Sequence, residues 1–449
     1  MASLSSRLAD FLQSDVTAAL DPSVLDTVRV AFLDTAGCIL SGRQEPVTLQ
    51  TATWLRRRYQ AAPEATVLFA PEKHGVAAAG MLNAVAGHAL DLDDVALAGH
   101  PSVVLVPALL AESDHRGLCG VDLVSAYVKG YEVWADILQR LPEPLHDKGW
   151  HPTAVLGTLA VAAALCAARG LSHGQIGNAL GIAASRASGL VANFGSMTKP
   201  LHAGWAVEQG ITAVELAELG ITASADALDG PTGLLTALST TQAPDRTRPC
   251  SHGSVLAIHS VRPSVKKYPV CYAAHRAIDG MLNLADANAI TPESVERIDV
   301  QISVTNARVL KYAHPVTALE AKFSMPFACA AALVFGNVGL QQLTDDAVQH
   351  PWVQRLMPRV HVEPVTSACP LEPSFALHDR VCIALTDGRV LDSGPIRFAL
   401  GHAQNPLSPE RIRSKVLDCA GAYDADLAEQ VINDLTARLQ LDTPARSTC

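Results

Sequence analysis

Between His88 and Ala111 the chain reads HALDLDDVALAGHPSVVLVPALLA. Three carboxylates (Asp91, Asp93, Asp94) and two histidines (His88, His100) stand there between segments that are otherwise apolar. Burying a carboxylate costs several kcal/mol unless it is paired, hydrogen-bonded or used by a ligand. The stretch is therefore either a helix end with its charges satisfied or one wall of an active site.

Three further polar islands interrupt apolar sequence: Trp150-His151-Pro152, Thr198-Lys199-Pro200-Leu201-His202-Ala203-Gly204 and Lys266-Lys267-Tyr268-Pro269. Each joins an ionisable side chain to a proline or glycine, which fixes the backbone at a helix boundary. Helix starts carry free N–H groups and the positive end of the dipole, which suit a carboxylate ligand. Alone, any His-Pro or Lys-Pro step reads as an ordinary helix boundary. Gathered at one cleft, the four islands would supply acid, base and anion binding near neutral pH.

Two sharper readings compete for the first island. Asp91-Leu92-Asp93-Asp94 matches the DxDD acid of the all-helical class II terpene cyclases, but only 5% of the chain is aromatic, too little to wall a carbocation. A metal site from His88, Asp91, Asp94 and His100 is the other. On a continuous helix residues 88, 91 and 94 drift around the face, and no His pair at i, i+4 completes the set, so no metal is expected. GxGxxG, GxxxxGK[ST] and HExxH are all absent.

At 449 residues the chain exceeds one ordinary core, and two units are expected. A net charge of −10 argues against a nucleic-acid groove. The apolar run from Thr153 to Ala168 is short for a membrane span, so a soluble protein is expected. Ten cysteines are scattered without a CxxC, and MASLSSRLADFLQS lacks the pattern of a secretory signal; both fit reduced thiols and a cytoplasmic location.

The elements that must position these islands are mostly helices. Periodicity predicts helices throughout Ser3 to about Leu235, among them Val24–Leu40, Gly75–Leu90, Pro101–Ala111, Asp122–Leu138, Thr153–Arg169 (apolar all round, hence central), Ser172–Leu190 and Leu201–Gly220. Glycines at 195, 204 and 210 suggest close backbone approach. A polar connector near 239–253 precedes an α+β region with a strand at Val295–Val304, a strand–turn–strand in VCIALTDGRVLDSG, and helices at His275–Asp286 and Phe323–Phe335. Helical signals return from Ser408. The fold class expected is mainly α with a smaller α+β domain: residues 1–250 helical, 260–395 α+β, and 396–449 helices returning to the first domain.

The collinear segments DTAGCILSG (34–42), GHALDLDDVALAGHPS (87–102), WHPTAVLGTLAVAAAL (150–165), MTKPLHAGWAVEQGITAVELAELGIT (197–222), VKKYPVCYAAHRAID (265–279), EAKFSMPFACAAAL (320–333) and NPLSPERIRSKV (405–416) resemble the MmgE/PrpD family. That resemblance implies a homodimer, an interdomain cleft, and chemistry without metal or cofactor next to a carboxylate. The activities it brings are 2-methylcitrate dehydratase, cis-aconitate decarboxylase and iminodisuccinate epimerase, with a small polycarboxylate as substrate; dehydration is the first expectation and epimerisation the second, and the alternatives are decarboxylation or a non-catalytic carboxylate-binding member. It places catalytic roles on Asp91, His100, His151, Lys199 and Lys266, and substrate contacts on His202, Tyr268 and Cys271. Lys199 and Lys266 would clamp carboxylates, while His100 or His151, oriented by Asp91, would move the α-proton. The chain departs from the family pattern at Val95, commonly threonine, and at Cys271, a histidine in decarboxylase-like members; both weaken the decarboxylase reading.

Overall fold

The computed structural model describes residues 2–58, 62–250, 256–421 and 424–440. Its first part is helical: α1 (Leu4–Gln13), α2 (Pro22–Ser41), α3 (Pro46–Arg58), α4 (Val76–Ala89), α5 (Ser102–Arg116), α6 (Gly120–Arg140), α7 (Pro152–Ala168), α8 (His173–Arg186) and α9 (Thr198–Glu218). Their starts follow local chemistry. The Asp21 carboxylate accepts from the N–H groups of Ser23 and Val24 to open α2, and Ser172 and Gln175 form a reciprocal capping box at α8. Pro152 occupies the first turn of α7, where its missing N–H costs nothing. α7 is buried from Pro152 to Cys166 and packs on α5, α6, α8 and α9, as expected of a helix apolar on every side.

Two of the glycines noted in the sequence set helix spacing. A Cβ on Gly204 would come within 2.5 Å of Val85 on α4, and one on Gly210 within 2.6 Å of Val161 on α7. α9 thus lies close against both neighbours. It also begins three residues earlier than expected, so Lys199 and Pro200 lie in its first turn. One small departure from the all-helical expectation is an antiparallel pair, β1 (Ala65–Thr66) with β2 (Lys73–His74).

A second buried apolar cluster is built on a four-stranded sheet. β3 (Val295–Ser303) pairs in parallel with β4 (Val360–Val365) and antiparallel with β5 (Arg380–Leu385), which pairs antiparallel with β6 (Val390–Asp392). The strand order is β4-β3-β5-β6. Helices His275–Asn288 and Met325–Phe335 pack on it. The fold is mainly α with a smaller α+β part. β4 escaped the sequence reading because it is a short edge strand whose alternation, Val360-His361-Val362-Glu363, is cut off at Pro364.

Helices Pro409–Ala420 and Ala425–Arg438 pack on α2. Lys415 there makes a buried ion pair with Asp34 of α2. No described helix is long and apolar enough to cross a membrane.

Candidate active site at the turn after α4

α4 stops at Ala89 and the chain turns sharply. Asp91 has φ 54°, a left-handed conformation that costs an ordinary L-residue roughly 1–2 kcal/mol and that aspartate tolerates better than most. Three lysines from distant parts of the chain bind the carbonyls of this turn: Lys322 Nζ donates to Ala89 O (2.7 Å), Lys266 Nζ to Asp91 O (2.7 Å) and Lys415 Nζ to Leu92 O (2.9 Å). Ammonium groups at the C-terminal end of a helix also face the negative end of its dipole. Beyond the turn, Val95 exchanges backbone hydrogen bonds with Ser264, two residues before Lys266, and this pairing carries Lys266 towards Asp91.

A second tight turn delivers His100. Ala96 and Gly99 exchange hydrogen bonds across Leu97 and Ala98, both left-handed (φ 50° and 61°). Trp134 Nε1 donates to Leu97 O (3.0 Å), and the His100 N–H donates to Thr153 Oγ1 (3.2 Å) in the first turn of α7.

The side chains converge on one buried cluster. Lys199 Nζ donates to Asp91 Oδ1 at 2.6 Å, and Lys266 Nζ lies 2.9 Å from Asp91 Oδ2. Burial alone would push the Asp91 carboxyl up, but the two ammonium groups outweigh it and hold it far below the usual carboxylate range. Lys199 Nζ also lies 2.9 Å from His88 Nε2, and 5.5 Å from the ring centres of both Phe194 and Phe323. The two rings wall the ammonium from water and face it with their π-systems.

Hydrogen-bond accounting fixes the tautomers. An ammonium only donates, so His88 Nε2 accepts from Lys199 and His88 Nδ1 carries the proton, which it donates to Asp93 (2.9 Å). His100 Nδ1 lies 3.0 Å from both Asp94 O and Asp93 Oδ2, which are acceptors, so that nitrogen also carries a proton. The lone pair of an uncharged His100 is then on Nε2, which faces Asp91 Oδ1 at 3.8 Å. Asp93, pushed up by burial, is pulled well below its usual range by His88 and His100. Burial holds His88 down at about 3, with Asp93 opposing and Lys199 assisting. Burial, then Lys199, likewise holds His151 well below the usual histidine range.

The structure brings Asp91, His100, Lys199 and Lys266 together. His151 stands beside them, its ring stacked 5.8 Å from that of His88 and edge-on to Phe194 at 4.8 Å. His202 is one step behind, its Nδ1 3.1 Å from His151 Nδ1, and burial with Lys199 lowers it to about 4. Cys271 is half-buried near Asp91, Lys266 and Lys199, its thiol raised to about 11 by burial and by Asp91. The Tyr268 hydroxyl donates to Asp279 (2.6 Å) inside the α+β part rather than to a residue of the cluster.

One further expectation changes. The carboxylate that fixes His100 through Nδ1 is Asp93 rather than Asp91, which is engaged by the lysines. Asp94 caps the start of α5 through Ser102. His88, Asp93 and Lys322 were not singled out as site residues; the first two sit in the opening island, and Lys322 inside EAKFSMPFACAAAL, where a lone lysine in an apolar run was the available signal.

Because the helix ends at Ala89, His88, Asp91, Asp93 and His100 gather their ligand-type atoms within 4.8 Å, with Asp93 where the sequence suggested Asp94. A cation there would compete with ammonium groups already bonded to Asp91 and His88. The donor set fits Lys199 and Lys266 as its positive charges better than a divalent ion.

Residues 6–247 match the family model of the MmgE/PrpD N-terminal domain, and residues 268–441 that of the MmgE/PrpD C-terminal domain. The cis-aconitate decarboxylase of Mus musculus is 31% identical over 351 residues, covering 75% of this chain and 70% of the relative. That of Homo sapiens is 30% identical over 349 residues, covering 75% and 71%. That of Aspergillus terreus is 25% identical over 470 residues, covering 97% and 93%. With both domain models matched in order along nearly the whole chain, this protein belongs to the MmgE/PrpD family.

Proposed function

We propose that the protein is a lyase acting on a small di- or tricarboxylate, taking a proton α to a carboxylate in a dehydration of the 2-methylcitrate dehydratase type. The observation that carries this reading is the pairing of two buried ammonium groups on Asp91 with an imidazole, His100, whose Nδ1–H is fixed by Asp93. A carboxylate entering between Lys199 and Lys266 would share their charge, which stabilises the negative charge that develops when the adjacent C–H bond breaks. His100 Nε2 takes the proton, its electron pair forms the carbon–carbon double bond, and the β-hydroxyl leaves as water with a proton from Lys199. His151, beside His88, is an imidazole that burial keeps uncharged.

Decarboxylation is the second reading, favoured by the relatives, which are cis-aconitate decarboxylases. It would use the same ammonium pair to hold the electron pair released by the lost CO2. The test is NMR in D2O on a panel of citrate, 2-methylcitrate, cis-aconitate and iminodisuccinate. Dehydration removes the α-proton signal with formation of the alkene. Decarboxylation releases CO2 and places deuterium in the product, whereas exchange with inversion alone would mean epimerisation. Lys199→Ala and His151→Ala are each expected to slow turnover by about a hundredfold or more. No exchange and no product on any acid, or near-native turnover in both variants, would remove this reading.

A further inference from the structure

Of the three lysines that bind the turn carbonyls, two also pair with carboxylates. Lys266 contacts Asp91 and Lys415 contacts Asp34. Lys322 makes no ion pair among the described residues, although it is only 5% exposed, and its ammonium is spent on a single carbonyl, Ala89 O at 2.7 Å. A buried, unpaired ammonium is costly unless it has work to do. The backbone around it belongs to the site wall: Lys322 O accepts from the Cys271 N–H (2.8 Å), and the next residue, Phe323, lies against Phe194 (5.1 Å) and over Lys199.

We propose that Lys322 is a positioning residue. By holding Ala89 O through its charged amine, it keeps the strained Asp91 turn in the left-handed conformation that aims the Asp91 carboxylate between Lys199 and Lys266. The assignment rests on reading the Asp91 cluster as the reactive site, and Lys322 acts through Asp91 without touching substrate. Without that hydrogen bond the last turn of α4 can relax, and Asp91 can leave φ 54° for an unstrained backbone. The groups facing the amine are Glu45 and Asp91, which favour its charge, and Lys199 and Lys266, which oppose it. Burial is the largest influence and lowers Lys322 to about 8. As pH rises through that value the charge-assisted bond weakens to a neutral one.

The test compares wild type with Lys322→Met and Lys322→Arg, using cis-aconitate and citrate as probes. Lys322→Met is expected to lower kcat by about tenfold or more with little change in KM, since the lost group does not contact substrate. Lys322→Arg, always charged, is expected to recover most of kcat and to move the alkaline limb of the pH–rate profile upward by about one unit or more. Crystal structures of wild type and Lys322→Met are expected to differ at Asp91, with the carboxylate withdrawn from Lys199 in the variant. An unchanged Asp91 turn in Lys322→Met, or an alkaline limb that Lys322→Arg leaves in place, overturns the proposal. If Lys322→Met does not fold, the Lys322→Arg limb decides. If wild type turns over neither probe, the Asp91 geometry alone decides the role of Lys322, and the functional reading is decided separately by the full panel of acids.

Discussion

Asp93 accepts from the protonated Nδ1 atoms of two histidines at once, and no neutral isostere can do the same. In Asp93→Asn one amide oxygen remains to accept, while the NH2 group is turned against the second N–H. His100 then keeps only the Asp94 carbonyl as acceptor for its Nδ1–H and loses the carboxylate charge beside it. Turnover is expected to fall by about 10²–10⁴-fold at a temperature where the variant is still folded, checked by steady-state kinetics beside thermal unfolding. A loss of activity matched by unfolding would instead make Asp93 a stability residue. At this scale the sequence was informative about which islands matter and silent about partners. Asp91, Asp93 and Asp94 look alike in a row of letters, yet the backbone sends the first to two lysines, the second to two imidazoles and the third to a helix start. That divergence comes from the left-handed Asp91, which no periodicity encodes.

Among the elements, the turn from Ala96 to Gly99 carries the most strain per residue, with Leu97 and Ala98 in conformations usually left to glycine or asparagine. What holds it is contact with rigid neighbours. A Cβ added at Gly99 would come within 2.7 Å of Trp134 Cζ2 and 3.2 Å of Thr153 N and Oγ1, and Trp134 is fully buried. Gly99→Ala is therefore expected to destabilise the protein by roughly 1–3 kcal/mol. It should also displace His100 and lower kcat in proportion more than stability, as read by denaturant unfolding and kinetics on one preparation. A variant as stable and active as wild type would mean the turn yields freely. Long helices such as α2, α7 and α8 were legible because their apolar faces, caps and proline starts are local in sequence. Edge strand β4 and the turn at 96–99 were not, because the apolar alternation of one stops after four residues at Pro364 and the other is held by partners from α6 and α7.

For the molecule as a whole, the buried histidines set the response to acid. His88 is lowered to about 3 and His202 to about 4, and His151 lies well below the ordinary value of 6.5, in each case chiefly through burial. In the unfolded chain each takes up a proton as pH falls through about 6.5, while in the folded protein it does not. The unfolded state thus binds more protons across that window, and stability drops from about pH 6.5 down to about 4. The depressed carboxyls of Asp91 and Asp93 add to the loss only at lower pH, near the ordinary carboxylate value of 3.8. The melting temperature is expected to fall steadily from pH 7 to pH 4.5, less steeply in His202→Phe; a flat profile would mean that these rings are charged in the fold. Global organisation was legible in outline, since the change from period-3.6 to mixed patterning near residue 250 anticipated a separate α+β core. The interlocking of its lysines with the end of α4 was not, because contacts across hundreds of residues leave no trace in a local pattern.

Chain separation gives the turn after α4 one more property. Its carbonyls at Ala89, Asp91 and Leu92 are bound by side chains at 322, 266 and 415, so the loops that close around it span from 175 to 323 residues. Such long-range closures are the last contacts to repay their entropy cost during folding. On the ribosome the turn itself is made long before its third lysine, which follows Leu92 by 323 residues. The reactive constellation is thereby a property of the finished chain, and a truncation anywhere before Lys415 leaves the strained aspartate without its full set of restraints.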